Sequence, residues 1–357
     1  MKKTLITVVM TILGVIVYIL LGWTIIIPVL VTKFILEFFF TRRVTQTIIC
    51  DDNKFYPGLT EDPRYFQSKD HKLYGAFFTH EGHKPFKGVM IVSHGIGCSH
   101  LNYLQVIDYF TRKDYLVFAF DMTGCCKSEG DKGMEGLQRS IIDLRSAILF
   151  VANQPEAQGL DLFVFGHSWS GYASACVLND DEVCSKVKAV ATLSGFNNPW
   201  SIMKDQGIKK VGSIVKLARP FAHIYGKLKF GNIVNYKGIK GINHYKGPVF
   251  VAHSTDDKTV EYRYSIERLK DKCTNPLAEF HTEEGLGHTL YRPVESEKAI
   301  DAARKGKEPL ALGNVNVFQW FMDDRYRFSK REDVFGLNEK YLDKVEDFFE
   351  RSRGVIC

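Results

Sequence analysis

The stretch FGHSWSGY, residues 165–172, decides how the rest of the chain is read. It closes a short apolar run and holds two serines, Ser168 and Ser170, between Gly166 and Gly171. A tight strand-to-helix turn that presents a serine follows G-x-S-x-G, because the backbones two places either side of that serine come close together. With Ser168 as the presented residue, the flanking positions are Gly166 and Ser170, both small. With Ser170 they are Ser168 and Tyr172, and a tyrosine does not fit. The motif is therefore G-x-S-x-S centred on Ser168, held at a strained φ/ψ that costs on the order of 1–3 kcal/mol. Ser170 reads as a spacer, so Ser170→Gly is expected to keep activity.

Outward from this turn, strand and helix patterns alternate. GVMIVSHG (88–95), YLVFAFD (115–121), LFVFGHS (162–168), VKAVATLSG (187–195) and PVFVAHS (248–254) are continuous apolar runs, as expected of parallel strands buried on both faces. KLYGAFFTH (72–80) alternates like an exposed strand, and 278–282 reads as the last one. Between 137 and 151, Leu137, Ile141, Leu144, Ile148 and Val151 recur on one helical face. The pattern predicts an α/β fold: an open, mostly parallel sheet with helices on both faces.

Ligands of such sheets bind beyond the carboxyl ends of the strands. There the sequence places Ser168, then HSTDDKTV (253–260), then EGLGHTLY (284–291). A serine hydroxyl needs a base to take its proton and a carboxylate to orient that base. His288 is the expected base and Asp257 the expected carboxylate, with Asp256 the runner-up. SHGIG (93–97) follows the first buried strand, so the backbone N–H groups of Ile96 and Trp169 are the candidate oxyanion donors. Each piece alone has a plainer explanation: Asp256 and Asp257 suit a helix N-cap, and a lone histidine is more often structural. Their joint order, each beyond a predicted strand, carries the inference.

From about residue 66 onward the chain resembles an α/β-hydrolase, most closely the branch of monoacylglycerol lipases, serine aminopeptidase-like proteins and small bacterial esterases. The resemblance rests on VSHGIGCSHLNY, on FDMTGCCKSEG, similar to a D-x-x-G-x-G-x-S turn, and on GHSWSGY, HSTDDKTV and GLGH. It implies Ser168 as nucleophile, His288 as general base then acid, Asp257 as orienting carboxylate, Ile96 and Trp169 as oxyanion donors, and no metal or organic cofactor. Cys126 and Ser170 depart from the branch's glycines, and NVNVFQWFMDDRYRF (314–328) lengthens the stretch before a final amphipathic helix at about 338–351.

The branch inserts a cap where this chain has residues 197–247. Residues 201–246 contain ten Lys or Arg and one Asp, a net of +9; the whole chain carries +6, so the remainder nets −3. Such a cap offers a surface for anionic lipid head groups or an acidic substrate, or is a solvated helical face.

The first 40 residues are of another kind. No charge falls between Lys3 and Lys33, a run longer than the roughly 20 residues that span a bilayer. The first alanine is Ala76, so an A-x-A cleavage site is hard to place. The expected organisation is an uncleaved membrane anchor (1–40), a tether (41–65) and a hydrolase domain (66–357). Eight cysteines show neither CxxC nor metal spacing and read mainly as small buried side chains. The expected function is a membrane-anchored serine hydrolase of carboxylic, lipid-like esters, with no nucleic-acid partner. A peptidase or amidase of the same fold is the nearest alternative, and a non-catalytic scaffold the alternative of another class.

Overall fold

The computed structural model describes residues 2–44, 51–82, 85–130, 135–297 and 335–355. Eight strands form one sheet: β1 (Leu59–Ser68), β2 (His71–His80), β3 (Gly88–Ser93), β4 (Tyr115–Phe120), β5 (Leu162–His167), β6 (Ala189–Leu193), β7 (Val249–Ser254) and β8 (Ala278–Glu283). Their order is β1-β2-β4-β3-β5-β6-β7-β8. The first hairpin is antiparallel, β2 joins β4 antiparallel, and every later pair is parallel.

The apolar runs are continuous because the sheet is covered on both sides. In β3, Val89 and Ile91 face one core while Met90 and Val92 face the other; Val164 and Phe165 of β5 divide the same way. Helices α3 (Arg139–Ala152) and α4 (Trp169–Val177) close the first side. The second is closed by α2 (Leu104–Arg112) and the C-terminal helix (Glu339–Arg353), whose Leu342, Val345, Phe348 and Phe349 all point inward. Each such side chain contributes about 1.5–3 kcal/mol through burial.

Two expectations shift. The polar stretch read as a tether supplies β1, an edge strand whose ladder with β2 runs from Leu59 to Ser68. Its Pro63 is tolerated there because an edge strand leaves one row of backbone groups unpaired. The centre of β2, Leu73 to Phe78, is buried rather than exposed, since Leu73 and Phe77 face one core and Tyr74, Ala76 and Phe78 the other. The stretch 314–328 lies outside the described residues.

A short α5 (Asp181–Cys184) precedes β6. Between β6 and β7 there is no strand among the described residues, and the interval is filled by α6 (Pro199–Val211), α7 (Arg219–Phe230) and α8 (Gly238–His244). At the other end, α1 (Lys2–Val44) contains Val8–Ile35, 28 residues at a mean hydropathy of 2.5. A helix so long and apolar near an N-terminus suits a membrane anchor or a signal sequence. It packs against α7.

Candidate active site

The turn between β5 and α4 holds Ser168 at φ 60°, ψ −116°, a positive-φ conformation that side-chain-bearing residues rarely adopt. Its amide donates to the Leu193 carbonyl at 2.8 Å, which ties the turn to β6. The local glycines explain why the chain can fold so tightly. A Cβ on Gly166 would stand 2.5 Å from the Ser170 carbonyl oxygen, and one on Gly171 would stand 2.5 Å from that of Leu193. Gly171 is thus a close-approach glycine in its own right, packed against Leu193 and Gly195. Ser170 is more than a spacer. Its buried Oγ donates to the His94 carbonyl at 2.6 Å and lies 2.7 Å from Ser93 Oγ, fastening the turn to the loop after β3.

The structure brings Ser168, His288 and Asp257 together. His288 Nε2 lies 2.9 Å from Ser168 Oγ, and His288 Nδ1 lies 2.7 Å from Asp257 Oδ2. Asp257 also accepts from the amides of Thr259 and Val260 through Oδ1, at 2.8 and 2.9 Å. Burial pushes its carboxyl up, but hydrogen bonds from His253 and His288 outweigh that and hold it below the usual aspartate range. A carboxylate ionised in this position keeps the proton of the facing imidazole on Nδ1 and leaves Nε2 free to accept from the serine. Asp256 serves the loop instead, where its Oδ1 accepts from the amides of Gly285 and Gly287 and shapes the segment that carries His288.

The backbone of His288 is held from both ends. Its amide donates to Glu297 at 3.1 Å, and its carbonyl accepts from Ser194 Oγ at 2.7 Å and from His167 Nε2 at 3.1 Å. Because Nε2 of His167 faces a carbonyl, it carries the proton. Burial, reinforced by neighbouring His288, keeps this ring neutral, well below its ordinary value. Its Nδ1 therefore accepts, from the Tyr103 hydroxyl at 2.8 Å, and the same hydroxyl accepts from the Gly95 amide at 2.9 Å. One relay thus joins the loop after β3 to the loop after β8.

Of the expected oxyanion donors, Trp169 is the first residue of α4, where an amide has no acceptor within its own helix. Ile96 is half-buried in the loop that passes the turn; a Cβ built on the preceding Gly95 would lie 3.4 Å from Ser168 Cβ. That loop is fixed by His94, whose Nδ1 donates to the Gly95 carbonyl at 2.8 Å while Nε2 accepts from the Met122 amide at 3.0 Å.

Sequence reasoning missed His253, Tyr103, His167 and Ser194. His253 is fully buried, with Nε2 at 2.8 Å from the Val260 carbonyl and 3.1 Å from Asp257 Oδ2. Facing two acceptors, that nitrogen is the donor, while Nδ1 is buried with no partner among the described residues. The available signal was its place four residues before Asp257 at the end of a strand.

Residues 84–236 match the family model described as serine aminopeptidase, S33. The match includes Ile96, Ser168 and Trp169 and stops short of Asp257 and His288. No curated protein matches the chain. Among solved structures, the chain is similar to the esterase Pf2001 of Pyrococcus furiosus in several crystal forms. One has a TM-score of 0.53 at 17% identity, covering 86% of this chain and 97% of that one. Another has 0.51 at 18% identity, covering 73% and 94%.

Proposed function

We propose, from an α/β-hydrolase fold whose residues 84–236 match the serine aminopeptidase, S33, family model, a membrane-anchored serine hydrolase acting on carboxylic esters. The observation that carries this reading is the unbroken chain from Ser168 Oγ through the His288 ring to Asp257, at 2.9 and 2.7 Å, on a serine held at positive φ.

In this reading Ser168 Oγ attacks the ester carbonyl as its proton passes to His288 Nε2. The amides of Ile96 and Trp169 receive the developing oxyanion; losing one such donor typically costs about 3–4 kcal/mol of transition-state stabilisation. Collapse of the tetrahedral intermediate expels the alcohol, which takes the proton from His288. Water then gives its proton to the same nitrogen and attacks the acyl-enzyme, releasing the acid and restoring Ser168. Asp257 stays ionised throughout and stabilises the imidazolium. Val8–Ile35 is the bilayer-spanning segment, Leu59 onward the hydrolase domain, and the helices within 197–247 its cap.

The same groups cleave amides, and the description of the matching family favours that second reading. Acyl-chain-length series of esters, assayed beside aminoacyl amides, distinguish the two. A fluorophosphonate probe tests the class as a whole. It should label the wild type and leave Ser168→Ala unlabelled; a folded wild type that takes no label overturns the proposal in favour of a non-catalytic scaffold.

A further inference from the structure

A cavity of about 950 Å³ lies where α1, α6 and α7 meet, and neither Ser168 nor His288 lines it. Lys33, Lys204, Arg219, Lys229 and Lys237 line it against a single carboxylate, Glu135. Glu135 is already engaged by His71 and Arg139, and Lys204 by Asp205 at 3.2 Å. Among the described residues, no carboxylate pairs with Lys33, Arg219 or Lys237. A concave site so dominated by one sign repels itself until an anion enters.

The orientation of α7 indicates where the anion comes from. Advancing about 100° per residue, Arg219, Ala222, Gly226 and Phe230 fall on the side that lines the cavity. Ile224 and Leu228 fall on the opposite side, continuing from Leu217, and stand 37%, 78% and 69% exposed respectively. Outside α1, these are three of the five large apolar side chains exposed among the described residues, the others being Phe55 and Tyr65. A cap helix in water keeps its apolar side chains on the inward side; this one buries Phe230 there and exposes Ile224 and Leu228 as well.

The neighbouring α1 supplies the solvent that such a face needs. The 28 residues of Val8–Ile35 extend about 42 Å at 1.5 Å per residue, about 12 Å more than the hydrocarbon core of a bilayer. That excess is the width of one helix. Thr32 is buried on α1, and the adjacent Lys33 reaches the cavity, so α7 crosses α1 at the end of the apolar run, at the depth of the lipid head groups.

We propose that this cavity binds the anionic head group of a membrane lipid, whose acyl chains remain in the bilayer beside α1 and the outer stripe of α7. The inference rests on the reading of α1 as a bilayer-spanning helix. The site adjoins the reacting groups without including them: Leu137 lines it, and the Leu137 carbonyl accepts from Trp169 Nε1 at 2.8 Å.

The test uses the full chain reconstituted in equimolar phosphatidylcholine–phosphatidylglycerol vesicles, with spin-labelled phosphatidylglycerol or phosphatidylcholine as probe. The motionally restricted fraction is expected to favour phosphatidylglycerol, and Arg219→Gln and Lys237→Gln to erode the preference roughly fivefold per cation removed. The conservative pair Arg219→Lys and Lys237→Arg should retain it. Leu217→Ser with Leu228→Ser should reduce the restricted fraction of both lipids, and sn-glycerol 3-phosphate should not displace the bound lipid. An unchanged preference in the glutamine pair overturns the site, and efficient displacement by glycerol phosphate overturns the lipid as its source. Carbonate extraction of the wild type from the vesicles sinks the anchoring beneath the proposal. Carbonate-resistant protein with no lipid preference sinks the cavity alone.

Discussion

The turn that holds Ser168 and the helix that holds Leu228 solve opposite problems. Around Ser168 the polar groups face inward and find partners within the chain: the amide on Leu193, the hydroxyl on His288, and the His288 carbonyl shared by Ser194 and His167. On α7 the arrangement is inverted, with Arg219 and Lys229 toward a cavity and Ile224 and Leu228 toward the outside. The first region is determined by contacts the chain makes with itself, so its geometry exists before any ligand arrives. The second makes physical sense only with something outside the chain.

The comparison breaks first at Asp257. If the centre is set within the chain, Asp257→Asn should leave the fold intact and lower kcat by about 10⁴-fold, because the amide reverses the tautomer demanded of His288. A loss of tenfold or less on a short-chain ester would mean that Asp256 or another group carries the role. Next comes a paired stability measurement. Phe349→Ala, in the core, should cost about 3–5 kcal/mol in denaturant unfolding. Leu228→Ser in detergent should stay within about 0.5 kcal/mol. Similar costs at the two sites would show that the α7 stripe is packed against protein after all.

His253 sharpens the comparison from inside the site. Its Nδ1 is buried without a partner among the described residues, which costs stability, while its Nε2 serves Asp257. His253→Phe takes a donor from the Asp257 carboxylate and from the Val260 carbonyl, so it should cost about 1–3 kcal/mol of stability at neutral pH and lower kcat by roughly 10- to 100-fold, the worth of a hydrogen bond to a charged group. The pH dependence separates this from simple unfolding. The Asp257 carboxyl is held below its ordinary range, so its contribution to stability is present above that range and is lost as pH falls through the folded value. Removing a donor raises the folded value. The acid limb of the activity profile should move upward, and the wild type's stability advantage in this contribution should shrink as pH drops through the carboxylate range.

Much of this was legible in the sequence, for identifiable reasons. Val89 to Val92 and Leu162 to Phe165 are continuous apolar runs because both faces of the sheet are covered, and the final helix shows its inward face through Leu342, Val345 and Phe349. Ser168, Asp257 and His288 could be located because each lies past a strand end, where side chains converge. What periodicity does not encode is lateral position. Nothing in LTEDPRYFQS (59–68) shows that it pairs with β2, since an edge strand with one exposed face and a proline reads as a loop. The relay from Gly95 through Tyr103 and His167 to His288 joins residues 193 positions apart in number, from 95 to 288, and becomes visible only in space. The Cys126 departure is better placed: its φ of 41° explains why a glycine suits that position.

Ser170 gives the smallest effect and the finest test of how tightly the centre is set. On sequence grounds Ser170→Gly would be neutral, since glycine restores the familiar pattern. The hydroxyl, however, bonds the His94 carbonyl and lies beside Ser93 Oγ, with no solvent to replace either contact. Its removal leaves a buried carbonyl short of a donor and adds glycine's backbone freedom to the first turn of α4, together about 1–2 kcal/mol of stability. Because His94 also fixes the Gly95 carbonyl, the loss should reach the Ile96 amide as a few-fold fall in kcat with KM little changed. Stability and kcat both equal to wild type would return Ser170 to the role of spacer. A fall in kcat without a fall in stability would make it a positioning residue for the oxyanion loop.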